Sequence, residues 1–322
     1  MPATKNKPNE INILRVYDAP VKMVWDAWTT DQVGHWWGPR GFTITTHSKD
    51  IRPGGMWHYT MHGPDGVDYV NKTRYFEVEP FSKMVYDHGG NDEQKPLFRV
   101  TVLFKELDGK THLDMTMALP TAEAAAETRK FIKKANGDST WDRLAEYLEK
   151  GTSRKEIFVI NRSFQAPLEL MYDLWTRPEH VARWVPPTGF TMKFIEVDMR
   201  PGGKSFYSMT DASGQHTMYG KTQYLEFTKP NRIVYTQQFA DAKGNVAKHP
   251  MAPTWPETMR TTVLLTAEGP EQTRVTVIWE PVDPSAAETD TFIKARSGMH
   301  GGWTGSFDKL DEYIPEHQGA AK

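Results

Sequence analysis

Cysteine is absent from this 322-residue chain. Disulfides, thiol nucleophiles and thiolate metal sites are thereby excluded. Long apolar runs are missing as well: no stretch approaches the roughly 18 residues that a membrane-crossing helix requires. An excess of either charge is also lacking. The 39 basic and 41 acidic residues leave a formal net charge of -2, whereas an electrostatic nucleic-acid binder carries a basic surplus on one face. Residues 1–10 are polar and hold no signal-peptide core. No phosphate-binding loop, dinucleotide fingerprint or Gly-x-Ser-x-Gly nucleophile motif occurs. These absences point to a cytoplasmic protein with no nucleic-acid partner, no membrane insertion, no bound metal and no cofactor.

Aromatic and thioether residues, by contrast, are abundant: 11 Trp, 15 Phe, 12 Tyr and 15 Met. They serve either large solid cores or a pocket suited to an apolar ligand.

The length allows two ordinary domains, and an internal repeat supplies them. Arg15-Val-Tyr-Asp-Ala-Pro20 matches Arg162-Ser-Phe-Gln-Ala-Pro167. Asp50-Ile-Arg-Pro-Gly-Gly55 matches Asp198-Met-Arg-Pro-Gly-Gly203, and Lys83-Met-Val-Tyr86 matches Arg232-Ile-Val-Tyr235. Ala125-Ala-Glu-Thr128 pairs with Ala286-Ala-Glu-Thr289, and Leu144-Ala-Glu-Tyr-Leu148 with Leu310-Asp-Glu-Tyr-Ile314. The order is the same in both halves, with the boundary in the polar stretch 149–156. The Val-Tyr pairs lie 149 residues apart and the Ala-Ala-Glu-Thr segments 161. The second copy therefore carries 12 more residues between them, within Asp241–Pro256. Further on, the first copy is shorter again just before Trp141.

Each copy reads as a strand ended by Ala-Pro, a short amphipathic helix, and a second short helix with Trp36-Trp37 or Trp184. Antiparallel strands follow. Pro53-Gly-Gly55 and Pro201-Gly-Gly203 serve as hairpin turns. Alternation puts Trp57, Tyr59 and Met61 on one strand face, as it does Tyr207 and Met209. A long helix closes each copy: Thr121–Lys150 in the first, and one capped by Asp283-Pro-Ser285 in the second. A sheet and one long helix must bury their apolar faces on each other. Gly298, Gly301, Gly302 and Gly305 are expected to allow a bend or close packing at the start of the last helical segment.

The strand, Ala-Pro, Trp-bearing helix, Trp-Trp-Gly-Pro and Asp-x-Arg-Pro-Gly-Gly succession resembles the SRPBCC or START-like superfamily. Within it, both copies are similar to the family named after the activator of the heat-shock-protein ATPase. The stretch His249-Pro-Met-Ala-Pro-Thr-Trp-Pro256 also resembles that family's loop, and the first copy lacks it. The resemblance implies an α+β chain of two tandem helix-grip domains, as in the birch pollen allergen. Each would be a curved antiparallel sheet wrapped around a long C-terminal helix, over residues 11–150 and 157–315. Residues 1–10 and 316–322 would be flexible tails. The superfamily spans lipid carriers, hormone receptors, polyketide cyclases, antibiotic-sequestering proteins and co-chaperone modules, so the fold alone does not name a function.

If the inward sheet face lines a cavity, the first copy contributes Trp57, Tyr59, Met61, Tyr86 and Met117. The second contributes Tyr207, Met209, Tyr235 and Trp279, with Met251 and Trp255 from its long loop. The plainer reading is that these residues fill solid cores. Tyrosine hydroxyls facing inward need partners, supplied by one another, by water or by a ligand. His88 shares a face with Met84 and Tyr86, so it is either a proton-transfer group or a polar residue at a pocket rim. Glu77 and Glu226 occupy matching strand positions, and either is a weak candidate base. His58 and His62 lie four apart on a strand, more than about 12 Å, too far for one metal ion. The repeated Asp-x-Arg at the turn is either an anion site or a local ion pair. Three functions follow: binding of a small hydrophobic molecule, mainly in the second copy; a cyclase- or hydrolase-type enzyme in the same cavity; or a chaperone-binding module, which nothing in the residues supports directly. The second copy, with its longer loop, is expected to hold the larger cavity.

Overall fold

The computed structural model describes residues 7–89, 96–134, 137, 139–152 and 156–318. The chain falls into two compact units divided between Thr152 and Ser153.

In the first unit, β1 (Glu10–Tyr17) leads into α1 (Val21–Thr29) and a 3-10 turn over Asp31–His35. Six strands follow: β2 (Thr43–Lys49), β3 (Met56–His62), β4 (Asp68–Glu79), β5 (Lys83–His88), β6 (Phe98–Leu107) and β7 (Lys110–Ala118). They form one antiparallel sheet in the order β1-β7-β6-β5-β4-β3-β2. The closing helical segment is α2 (Ala122–Lys134) followed by α3 (Ser139–Thr152).

The second unit repeats the plan. It runs through β8 (Phe158–Phe164), α4 (Leu168–Thr176) and α5 (Pro178–Trp184). Then come β9 (Phe190–Val197), β10 (Lys204–Asp211), β11 (Thr217–Thr228), β12 (Arg232–Ala240), β13 (Met259–Gly269) and β14 (Gln272–Pro281). The strand order is β8-β14-β13-β12-β11-β10-β9, and α6 (Ala286–Tyr313) closes the domain. Each domain is thus a helix-grip fold, a seven-stranded antiparallel sheet packed on C-terminal helix.

Local chemistry explains the repeated motifs. In Pro-Gly-Gly, Gly54 and Gly202 take φ of +81°, open to glycine without strain. The second glycine answers a different need. A Cβ on Gly55 would stand 2.2 Å from the Asp50 carbonyl oxygen, and one on Gly203 2.1 Å from that of Asp198. Arg52 and Arg200 pair with Asp50 and Asp198 at 2.8 and 2.9 Å in exposed positions. The repeated Asp-x-Arg is a local ion pair across its own turn. The Ala-Pro corners are fixed by a buried threonine: Thr111 Oγ1 donates to the Ala19 carbonyl at 2.7 Å, and Thr273 Oγ1 to that of Ala166 at 2.8 Å. Trp36 and Trp184 donate through Nε1 to the first helix of their domain, at the Ala27 and Leu174 carbonyls, both 2.9 Å.

The structure differs from the sequence reading in three places. Trp36 and Trp37 follow a five-residue 3-10 turn and do not sit on a helix. Residues 7–10 and 316–318 are tied down: β1 starts at Glu10, Asn9 Nδ2 donates to the Leu119 carbonyl, and Ile314–Glu316 form a 3-10 turn. Residues 1–6 and 319–322 of the expected tails lie outside the described residues.

The third difference is the closing helix. The expected single helix Thr121–Lys150 is broken between α2 and α3. Twenty-two residues separate Ala122, the first residue of α2, from Leu144, but twenty-four separate Ala286, the first of α6, from Leu310. The missing two amount to about 0.6 of a turn. An unbroken helix in the first domain would turn one of its ends away from the sheet. The break resolves that conflict, with Gly137 N–H donating to the Ile132 carbonyl at 2.8 Å. In the second domain α6 runs unbroken for 28 residues and buries Phe292, Met299, Trp303, Phe307 and Leu310. Its Ser285 cap and Glu288 form a capping box.

The four glycines of α6 do not interrupt it, and they differ in surroundings. A Cβ on Gly305 would meet Thr188 Oγ1 at 2.8 Å, while Gly298, Gly301 and Gly302 face open space. Gly298→Ala and Gly301→Ala are each expected to stabilise the second domain by about 0.5–1 kcal/mol. Gly305→Val is expected to destabilise it by about 1–3 kcal/mol through overpacking. Urea unfolding of the three variants checks both signs.

Candidate functional site

The two domains hold unequal cavities between sheet and closing helix, each partly open to solvent. That of the second has a volume of about 280 Å³, that of the first about 160 Å³. The inequality traces to side chains at matching positions. Trp37, Trp57 and Trp141 of the first domain correspond to Val185, Ser205 and Phe307 of the second. In the first domain these indoles pack together: Trp37 lies 5.4 Å from Trp57 and 6.2 Å from Trp141 between ring centres. Trp279 and Trp303 fill part of the difference in the second domain, where the first has Met117 and Gly137.

In the second domain Tyr207, Met209, Tyr235, Met259 and Trp279 line the cavity from the sheet, and Met299, Gly302, Trp303 and Ser306 from α6. Val185 and Pro187 border one side and Trp255–Glu257 the other. A smaller void of about 50 Å³ shares Val185, Tyr207, Met209, Tyr235 and Gln237 with it. The Tyr207 ring lies across β11 directly over Gly220, where a Cβ would be 2.4 Å from the phenol oxygen. The long loop docks on the first half of α6. Thr254 and Thr291 hydroxyls meet at 2.8 Å, and Trp255 packs on Phe292 with ring centres 6.1 Å apart.

The inward tyrosines find partners within the protein. Tyr207 hydrogen-bonds Gln237, Tyr235 hydrogen-bonds Thr261, and Thr261 Oγ1 donates to Gln237 Oε1 at 3.1 Å. Burial pushes the Tyr207 phenol up to about 12 and Tyr235 higher still. Both stay protonated, as neutral hydrogen-bonding groups rather than bases.

Of the eleven expected lining residues, the cavities gather eight. Met61, Tyr86 and Met117 line the first, and Tyr207, Met209, Tyr235, Trp255 and Trp279 the second. Trp57 and Tyr59 lie on the expected face but are stacked on each other at 4.0 Å inside the solid core. Trp57 Nε1 donates to Thr46 Oγ1, and the Tyr59 hydroxyl accepts from Trp37 Nε1 at 3.1 Å. Met251 is 84% exposed on its loop and lines neither of these cavities. Glu226 is turned outward by a bulge between Tyr224 and Glu226. The bulge passes the inward phase to Phe227 and leaves Glu226 paired with Arg232 at 3.1 Å and with Thr228 at 2.7 Å. Glu77, at the equivalent bulge, pairs with Lys83 at 2.6 Å. Among the described residues no group of three or more histidines, aspartates or glutamates is placed to hold a metal, and no helix is long and apolar enough to cross a membrane.

His88 does line the first cavity, stacked on Phe98 at 5.0 Å and near Trp37 at 6.3 Å. Burial lowers its pKa to about 4, so at neutral pH it is an uncharged imidazole of low basicity, poorly suited to act as general base. The folded value lies below the unfolded one of about 6.5, so as pH falls the unfolded chain takes up the proton first. The first domain is expected to lose about 1–2 kcal/mol of stability between pH 8 and pH 5 through this residue. His88→Gln, the residue at the matching position of the second domain, is expected to remove that loss. Urea unfolding of both proteins at the two pH values measures it.

Comparison with known proteins places this geometry. A family model described as activator of Hsp90 ATPase homolog 1-like protein matches residues 18–149 and again 165–315. No curated protein matches the sequence. Among solved structures, a protein from Chromobacterium violaceum is 26% identical over 49% of this chain and 96% of its own, with a TM-score of 0.39. One from Staphylococcus epidermidis is 23% identical over 48% of this chain and 98% of its own, with a TM-score of 0.42. The di-domain ARO/CYC BexL from the BE-7585A biosynthetic pathway covers 95% of this chain and 98% of its own, at 13% identity and a TM-score of 0.38. Because the family model takes in both copies and most of the chain, the protein belongs to the activator of Hsp90 ATPase homolog 1-like family, as a tandem pair of its domains.

Proposed function

We propose that the chain binds a small, apolar aromatic molecule in the second-domain cavity, in the cytoplasm. The observation that carries this reading is the unequal filling of two domains built on one plan. Where the first domain packs three indoles, the second leaves about 280 Å³ walled by aromatic rings and thioethers. That volume suits a ligand smaller than a typical drug. Its phenols and amide already hydrogen-bond one another, so the pocket is formed in advance of a ligand. Gly302 lies at the exposed rim of the cavity, where a Cβ would meet none of the described atoms, so a larger side chain has room to reach over the opening. An enzymatic role draws less support. His88 lies in the other domain, Glu226 faces outward, and Glu257, the one carboxylate among the described residues that line this cavity, is exposed.

Two measurements test the proposal. In a thermal-shift screen, a neutral naphthalene- or indole-sized compound at a hundred times its Kd is expected to stabilise the second domain by about 2.7 kcal/mol. Gly302→Leu should fold normally and weaken that binding at least about tenfold by occupying the space. If no apolar compound raises the unfolding temperature, while the chain is retained by immobilised chaperone, the binding role gives way to an interaction module.

A further inference from the structure

Resting on that reading, we infer that the second-domain pocket selects a neutral aromatic ligand bearing a carbonyl-type hydrogen-bond acceptor, taken by the indole N–H groups of Trp303 and Trp279. Trp303 is 8% exposed, and the rings of both residues border the cavity. Their Nε1 atoms are buried, and neither finds an acceptor among the described residues. The neighbouring donors are engaged. Ser306 Oγ donates to the Val185 carbonyl at 2.8 Å, and Tyr207, Gln237, Thr261 and Tyr235 hydrogen-bond along one chain.

In the first domain Trp36, Trp37 and Trp57 each donate to a protein oxygen. In the second, Trp175 Nε1, beside the smaller void, is also buried without an acceptor among the described residues, but only Trp279 and Trp303 border the main cavity. A buried donor left without a partner costs about 1–3 kcal/mol. Trp303 and Trp279 stand side by side, ring centres 5.6 Å apart at 72°. Two such costs beside one cavity are relieved together by an acceptor on its occupant.

Charge narrows the class further. Among the described residues no Lys, Arg or His lines this cavity, and its single charged neighbour is the Glu257 carboxylate. An anionic acceptor would enter uncompensated, so the acceptor is a neutral oxygen such as that of an aromatic ketone or quinone.

The test compares 2-acetylnaphthalene with 2-ethylnaphthalene, of nearly equal shape, by titration calorimetry on the intact chain. A carbonyl that finds no donor loses its bonds to water, so the ketone would then bind more weakly than the hydrocarbon. With the indoles donating, it is expected to bind about tenfold more tightly. Trp303→Phe and Trp279→Phe should each pull that ratio toward one. The ratio cancels packing losses common to both probes, and either variant suffices if the other fails to fold. Equal binding of the two probes, or a ratio unchanged in the variants, overturns the acceptor inference and leaves the binding role standing. If neither probe binds, the binding role fails and the inference with it.

Discussion

The second domain depends on how its closing helix is held against the loop that follows α5. Three helix residues within five positions make that contact. Gly305 lets the helix backbone approach Thr188, Ser306 Oγ donates to the Val185 carbonyl, and Lys309 Nζ donates to that of Pro186 at 2.9 Å. Phe307 and Leu310 on the same stretch enter the core. At its other end α6 is tied to the long loop through Thr254 and Thr291. A helix fastened at both ends keeps its distance from the sheet between them, and that is where Met299, Gly302 and Trp303 border the cavity. The volume follows from the clamps, because a helix free to settle would close on the sheet and bury more apolar surface.

The first domain makes the equivalent contact with a stronger group and uses it differently. Arg143 stands where the second domain has Lys309. Its Nη1 donates to the carbonyls of Trp37, Gly38, Pro39 and Phe42 at 2.7–3.2 Å. Arg40 pairs with the buried Glu146 of α3 at 2.5 Å. This holds Trp37 inside the domain, against Trp57 and Trp141. One fold therefore yields a smaller or a larger cavity, depending on a few large side chains. The cost of leaving such a volume empty is high, since large-to-small changes in cores lose about 2–5 kcal/mol where the site cannot collapse. Trp279 and Trp303 recover part of that by packing on each other, and Trp303 by packing on Phe307.

Most of this architecture was legible in the sequence because it is written in local patterns. The repeat, the Pro-Gly-Gly turns and the strand alternation each depend on neighbours a few residues apart. The inward face of β3 was read correctly, yet Trp57 and Tyr59 proved solid core. Alternation tells which side a residue faces, not whether another element fills the space above it. Glu226 was misplaced because a bulge carries no sequence signal of its own, and one extra residue moves the whole pattern to the other face. The helix break was not readable from the matching Ala-Ala-Glu-Thr segments, because Ala125 lies one turn inside α2 whereas Ala286 starts α6. Gly220 was a readable signal, since a glycine in mid-strand marks a close approach, here of Tyr207. Trp303, Met299 and Gln237 were missed as pocket residues because their placement depends on where α6 crosses the sheet.

The glycines of α6 bear most directly on whether the cavity is incidental. Each glycine in a helix interior costs about 0.5–1 kcal/mol against alanine. Gly305 has a packing reason in Thr188, whereas Gly298 and Gly301 meet no neighbour and the structure supplies no reason for them. Gly302 is exposed and likewise meets none of the described atoms, but it stands at the rim of the cavity. A residue whose only role was to hold the helix together would be better as alanine at that position. Placing a side chain there would gain helix stability and lose pocket volume at once. A helix that is weaker than it need be, at the point where strength would close the cavity, is what a domain that keeps the space open would carry.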